Sequence, residues 1–398
     1  MAGKNQQIEK LTRNYVANTY GRFPIALVRG KGSRVWDADG KEYLDFVAGI
    51  AVNSLGHGHP AVVRTIRRQA ERLMHVSNLY HIAPQSELAR ELCRRSFADR
   101  VFFCNSGAEA NEAAIKLARR YGAECLGGKY EILSTFNSFH GRTLATLTAT
   151  GQEKVRQGYD PLLPGFRHVP YNDIEAVEGA IDDRTVAILV EPIQGEGGVV
   201  VPKQKYLHGL RELCNKRGIL LIFDEVQVGM GRTGKLFAYE HFGVEPDIMT
   251  LAKALGGGLP VGAMLAREEV ARSFVPGTHA STFGGNPLAC SVGLAVLKTL
   301  VQGGVVKNCA RMGKIMLEGL HLLQDRFSFI REVRGKGLIL GMEIEREGGK
   351  IVEECLRAGL LINCAGKNDV LRFIPPLNIG KKDIDRALTI LEKVLARQ

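Results

Sequence analysis

The amino-acid sequence predicts an α/β fold, a mostly parallel central sheet flanked by helices and joined to a smaller α+β domain. Three observations lead there. The chain has 398 residues, 45% hydrophobic and 24% charged, which is enough for about two domains and a sizeable core. From about residue 100, short apolar runs alternate with amphipathic stretches, the pattern of strands connected by crossover helices. After about residue 291 that alternation gives way to a long helical stretch, two apolar runs and a last amphipathic helix.

Taken in order, Val35-Trp36 and Tyr43–Phe46 flank Asp39-Gly40, a hairpin turn near the start. Val101-Phe102-Phe103 reads as a strand leading into a helix over roughly 108–121. Tyr130–Leu133, Val186–Val190, Ile219–Phe223 and Ile248–Leu251 are short runs of β-branched or bulky residues bounded by turn residues, and read as further strands. Beyond 291, Gly337–Ile344 and Val370–Ile374 continue the strand pattern, and Ile384, Leu388, Leu391 and Leu395 share one helix face. The expected division is an N-terminal segment over 1–55 packing with the small domain, a large domain over 56–290 and the small α+β domain over 291–398. Glycine is abundant, 46 residues. Without a Gly-X-Y period this points to tight turns and close backbone approaches.

Several function classes fall away. The longest apolar runs are far short of a membrane span, and the first ten residues lack the apolar region of a signal peptide. The eight cysteines are scattered with no C-x-x-C pair, so they read as reduced thiols of a cytoplasmic protein. The net charge of +11 comes from basic residues dispersed among acids, which favours steering of small anionic substrates over nucleic-acid binding. Gly56-His57-Gly58-His59-Pro60 has two histidines but no further ligand cluster, so no metal site is expected.

In open parallel sheets, ligands bind beyond the carboxyl ends of the strands. The residues just after the apolar runs are therefore the place to look for chemistry. Ser106-Gly107-Ala108-Glu109 fits a capping box at a helix start. It is either an ordinary helix start or a cradle in which backbone N–H groups and the helix dipole hold a phosphate. Asp224, ending an apolar strand, suits a metal, a histidine, a cationic ring nitrogen or a simple turn cap. Gly229–Lys235 nearly matches a P-loop, the competing reading as an ATPase. Against it, Leu236 stands where a hydroxyl would bind Mg²⁺, and the acidic strand directly precedes the loop. Lys253 lies in an apolar run just past a strand. It is either a snorkelling lysine or a desolvated amine fit for Schiff-base chemistry. Together, an anion cradle, an acid, a semi-buried lysine and an aromatic after another strand match what pyridoxal 5′-phosphate requires.

The motifs Ser106–Glu109, Phe139-His140-Gly141-Arg142-Thr143, Glu191–Gly198, Asp224–Gln227, Leu251–Gly258 and Ser281–Pro287 jointly resemble the class III aminotransferases, and within them the acetylornithine aminotransferase branch. The resemblance runs from about residue 14 to the end. It implies a fold type I homodimer with active sites at the subunit interface and pyridoxal phosphate as cofactor. It makes Lys253 the Schiff-base lysine and Asp224 the partner of the ring nitrogen, the two catalytic residues. It places Ser106, Gly107 and Ala108 at the phosphate, Phe139 and Val226 on the two ring faces, and Gln227 at the ring hydroxyl. Glu225 is placed beside Asp224 in the same cofactor set. Thr282 comes to the phosphate, and Ser281 to the substrate, from the partner subunit. Val228 departs from the family's usual threonine.

The implied reaction moves the δ-amino group of N2-acetylornithine to 2-oxoglutarate, as in arginine biosynthesis. A single site must then hold a distal carboxylate in both half-reactions and an adjacent one only in the second. The resemblance gives Arg142 the first part and Arg372 the second, with Glu196 masking Arg372 by pairing with it. Guanidinium forks suit both tasks. Tyr20 matches a substrate-side tyrosine, and Ile50 stands where a tyrosine for free ornithine is carried. Succinylornithine, succinyl-diaminopimelate, 4-aminobutyrate and a carrier-bound aminoacyl group remain open as substrates.

Overall fold

The computed structural model describes residues 3–398, and the first two residues of the expected N-terminal segment lie outside the described residues. Its centre is a seven-stranded sheet in the spatial order Arg100–Cys104, Gly262–Ala266, Ile248–Leu251, Leu220–Asp224, Thr185–Val190, Glu131–Thr135, Phe166–Val169. Only Gly262–Ala266 runs against the others. Thr185–Val190 and Leu220–Asp224 are buried along their whole length, as strands covered by helices on both faces must be. Every strand expected from the apolar runs is present, within a residue or two at each end. Two strands of this sheet were not expected: Phe166–Val169, an edge strand of mixed polarity, and Gly262–Ala266, whose Gly-Ala-Met-Leu-Ala composition has little β preference. Both are held in place by neighbours and carry little local signal of their own.

The helix Gly107–Cys125 crosses the sheet face on a stripe that includes Ala110, Ala113, Ala114, Ile115, Leu117 and Ala118. Small residues on that stripe let the helix axis approach the strands closely. The hairpin of Arg34–Asp37 and Glu42–Asp45 forms as expected, turning through Gly40 at φ 91°. Its second strand pairs in parallel with Leu360–Leu361, which brings the N-terminal segment onto the C-terminal part of the chain. Ile330–Lys336, Ile339–Ile344, Val370–Phe373 and Asn363–Ala365 form a separate antiparallel sheet. The tight turn between the first two needs Gly337, at φ 55°. The final helix Lys381–Leu395 buries Ile384, Leu391 and Leu395, with Leu388 packed at the margin. The helix Pro287–Gln302 runs across the boundary expected at 290/291.

The glycine-rich loop 229–235 is not a phosphate cradle. Arg232 fills it, fully buried, and its Nη1 donates to the carbonyls of Leu338 (2.9 Å) and Pro375 (2.6 Å). Lys235 Nζ donates to the carbonyl of Glu240 (2.7 Å). The loop joins the central sheet to the C-terminal sheet, and its interior is occupied by its own arginine, which overturns the ATPase reading. The two histidines at 57 and 59 also have structural work: His57 Nε2 lies 2.7 Å from Asp45 Oδ2, and His59 Nδ1 accepts from Ala61 N at a helix start. All eight cysteines are unpaired. Among the described residues no single helix is long and apolar enough to cross a membrane.

Candidate functional site

The carboxyl ends of Arg100–Cys104, Glu131–Thr135, Thr185–Val190, Leu220–Asp224 and Ile248–Leu251 open on one cavity of about 440 Å³. The antiparallel strand Gly262–Ala266 begins there, so the turn before it, Gly258–Val261, closes another side.

On one wall, the helix Gly107–Cys125 points its N-terminus into the cavity. Ser106 is the N-cap, its Oγ accepting from Glu109 N at 3.1 Å. The reciprocal bond goes one residue further back than a capping box requires: Glu109 Oε2 accepts from Asn105 N (2.7 Å) and Asn105 Nδ2 (2.9 Å). A Cβ added at Gly107 would stand 2.7 Å from Val226 Cγ1. This wall is thus a bare helix end packed against an apolar side chain, which leaves first-turn N–H groups for an anion.

Opposite lies Asp224, buried at the end of its strand. Its Oδ2 accepts from Asn111 Nδ2 (2.7 Å) and from His140 Nδ1 (2.7 Å), and its Oδ1 accepts from Val226 N (3.0 Å). A carboxylate has about four lone-pair sites, so one on Oδ1 is left over for a ligand. Phe139 and Val226 line the cavity, and the Arg142 guanidinium lies over the Phe139 ring at 5.5 Å. Arg142 is exposed and forms no ion pair among the described residues, so its fork is available to a carboxylate.

Lys253 enters from the turn after Ile248–Leu251, with a left-handed backbone at φ 41°. A non-glycine residue held there is strained, and the surrounding packing must impose it. Its ammonium is disfavoured by burial, against the pull of the Glu196 carboxylate, so its pKa lies below the usual lysine value. Glu196 Oε1 and Oε2 accept from Arg372 Nη1 (2.7 Å) and Nη2 (3.2 Å). Burial works against Glu196 ionising, but Arg372 and Lys253 outweigh it and hold the carboxyl down at about 2. Gln227 completes this cluster: its Nε2 donates to Glu196 Oε1 (2.9 Å) and its Oε1 accepts from Arg372 Nη1 (3.1 Å).

Most of the expected residues therefore meet in one place: Ser106, Gly107, Ala108, Phe139, Arg142, Glu196, Asp224, Val226, Gln227 and Lys253 all line the cavity, and Arg372 backs it through Glu196. Four do not meet there. Glu225, expected beside the cofactor, turns the other way: its carboxylate accepts from Ala238 N and Tyr239 N, each at 2.7 Å, and caps the short 3₁₀ turn Ala238–His241. The alternation of a strand explains this, because neighbours of Asp224 face the opposite side of the sheet. Tyr20 is 69% exposed and outside the cavity of its own chain. Thr282 is exposed and also outside it, while Ser281 Oγ binds Gly284 N (3.0 Å) and Asn105 Nδ2 (3.3 Å). Ile50 lines a different, more apolar hollow between the N-terminal segment and Val352–Asn363.

Sequence reasoning missed Asn111, and it picked out His140 and Glu191 only as members of motifs after strands, without a role. Glu191, buried at the cavity, accepts from Phe139 N (3.2 Å) and Gly195 N (3.1 Å), and burial pushes its carboxyl up to about 7. The only local signal for these residues was their place just after strands or one turn inside the cradle helix. The set fits pyridoxal phosphate: a bare helix end for the phosphate, an apolar slot between Phe139 and Val226 for a flat ring, a carboxylate lone pair for its nitrogen and an amine for its aldehyde.

Comparison with known proteins agrees with this geometry. The class III aminotransferase family model matches residues 15–395. The chain is 55% identical to the acetylornithine aminotransferase of Caldanaerobacter subterraneus subsp. tengcongensis, over 96% of this chain and 98% of that protein. It is 53% identical to the acetylornithine aminotransferase of Methanocaldococcus jannaschii, over 96% of each. Among solved structures it resembles the ornithine aminotransferase of Toxoplasma gondii, with a TM-score of 0.96, 36% identity and coverage of 100% of this chain and 96% of that one.

Proposed function

The chain belongs to the class III pyridoxal-phosphate-dependent aminotransferases, and from that premise we propose that it transfers the δ-amino group of N2-acetylornithine to 2-oxoglutarate, giving N-acetylglutamate 5-semialdehyde and glutamate by a ping-pong mechanism. The observation that carries the substrate assignment is the pairing of Glu196 with Arg372 next to an unpaired Arg142. A donor whose reacting carbon bears no carboxylate leaves Arg372 masked and uses Arg142 alone. 2-Oxoglutarate carries a second carboxylate beside the reacting carbon, which displaces Glu196 and takes the Arg372 fork.

Bound pyridoxal phosphate supplies an aldehyde that links to amines and a ring that accepts an electron pair. The chain's own residues do the rest. First-turn N–H groups at Gly107 and Ala108 hold the phosphate, with Thr282 of a second copy completing that cradle. Asp224 holds the ring nitrogen, Phe139 and Val226 enclose the ring, and Gln227 binds its hydroxyl. Lys253 would anchor the cofactor through its aldehyde and, as general acid–base, would carry the proton from the substrate's δ-carbon to the cofactor carbon that bore that aldehyde. Ser281 and Tyr20 reach the substrate from the dimer interface. The division is that expected from the sequence, with 1–55 packing against the small domain 291–398 and 56–290 as the large domain, and the helix Pro287–Gln302 joining the two. The enzyme works as a cytoplasmic homodimer in arginine biosynthesis.

The test is the visible absorption spectrum of the purified holoenzyme, followed after addition of N-acetylornithine, succinylornithine, ornithine or 4-aminobutyrate. The expected result is fastest bleaching by N-acetylornithine. Faster bleaching by another amine removes the substrate assignment and keeps the class. In single-turnover work, Arg372→Ala should slow the 2-oxoglutarate half roughly a hundredfold, with a smaller loss in the acetylornithine half. Equal losses in both halves would refute the masked arginine.

A further inference from the structure

Asn111 lies one turn inside the cradle helix and is 1% exposed. Each of its amide groups has a partner at short range. Nδ2 donates one hydrogen to the carbonyl of His140 (2.7 Å) and the other to Asp224 Oδ2 (2.7 Å), and Oδ1 accepts from Thr250 Oγ1 (2.7 Å). The amide orientation follows from those partners: a carbonyl and a carboxylate accept, so the nitrogen must face them, and the Thr250 hydroxyl donates to the oxygen.

These contacts join four segments. Asn111 is on the helix whose N-terminus forms the anion cradle, and His140 follows the ring-covering Phe139. Asp224 ends the central strand, and Thr250 sits in the strand that leads to Lys253. A buried amide with all three bonds made is a rigid junction, since breaking any of them leaves a buried polar group unpaired.

We propose that Asn111 is a positioning residue for the cofactor. Through the Thr250–Asn111–Asp224 chain it occupies Oδ2, fixes the rotation of the Asp224 carboxylate and so leaves the free Oδ1 lone pair aimed at the ring. This rests on the reading of Asp224 as the ring-nitrogen partner. Because the same amide is tied to the cradle helix and to the strand before Lys253, it also sets the distance between phosphate site, ring acid and lysine.

The test uses the holoenzyme and two readouts beyond activity: the cofactor dissociation constant and the pH midpoint of the visible absorption band. Asn111→Ala should weaken cofactor binding roughly tenfold, the scale of one hydrogen bond to a charged group, and move the midpoint. Thr250→Val, which removes only the hydroxyl that orients the amide, should move both in the same direction by less. Thr250→Ser should return the midpoint to that of the native protein. Unchanged affinity and midpoint in Asn111→Ala and Thr250→Val, whatever happens to melting temperature, overturn the proposal. If Asn111→Ala does not fold, the Thr250→Val midpoint decides in the same way. Asp224→Ala separates the two levels: no change of midpoint in that variant removes the parent reading. A change there with none at Asn111 and Thr250 removes only the positioning role.

Discussion

At the scale of single residues, adjacent positions at the end of one strand have opposite fates. Asp224 faces the cavity with a lone pair to spare, while Glu225 is enclosed behind the sheet with two backbone N–H groups as its partners. Burial pushes the Glu225 carboxyl up to about 8, well above its ordinary range. The native state therefore binds this proton more tightly than the unfolded chain does. The stabilising contribution is complete below the ordinary carboxylate pKa and disappears as pH rises through about 8. Glu225→Gln cannot titrate. Its melting temperature should trail the native protein's most at about pH 5 and least at about pH 9, where the native protein has lost its advantage. A gap that stays constant with pH would show that Glu225 is ionised throughout. Glu196 is the opposite case, held at about 2 by Arg372 and Lys253 against burial. With its carboxyl held that low, its pair with Arg372 persists over the whole neutral range.

At the scale of an element, the helix Gly107–Cys125 has two tasks that its sequence divides by position. Its first turn is bare, capped by Ser106 and packed against Val226, and its body is an alanine stripe on the sheet. Gly107→Ala should separate these tasks. The new Cβ would crowd Val226 Cγ1 at 2.7 Å and displace a side chain that lines the cavity proposed for the cofactor. Alanine meanwhile improves helix propensity by up to about 1 kcal/mol. Cofactor affinity is expected to fall by roughly tenfold or more, with the melting temperature of the cofactor-free protein unchanged or raised. Undiminished affinity, measured by fluorescence titration, would place the slot elsewhere.

At the scale of the whole molecule, the site described for one chain lacks Ser281, Thr282 and Tyr20, and several large apolar side chains are left exposed. Leu79 is 83% exposed, Tyr80 69% and Phe283 61%. Large exposed apolar side chains of this kind suit an interface, and the proposed dimer has each chain's 281–283 loop reaching the other's cavity. Subunit mixing tests this. Lys253→Ala and Thr282→Asp are each expected to be nearly inactive alone. Unfolded and refolded together, they should regain about a quarter of native activity, because half the dimers are mixed and each mixed dimer has one intact site. No recovery, with mixed dimers demonstrated by mass, would mean that each chain builds its site alone.

The sequence by itself determined the alternating strand-and-helix order, the helix start at Ser106–Ala108, and the lysine and acid that follow their strands. Each of these is a local pattern: a period, a cap, or a residue type at a strand end. The family resemblance added the arginine pair. Tertiary structure decided the rest. Gly262–Ala266 became a strand because two neighbours pair with it. Arg232 filled the glycine loop because the C-terminal sheet offers it two carbonyls. Glu225 turned from the cavity because a strand alternates its faces. Asn111, His140 and Glu191 acquired roles only where segments 29 to 139 residues apart converge. Such roles depend on partners brought close by folding, and no local window of sequence contains them.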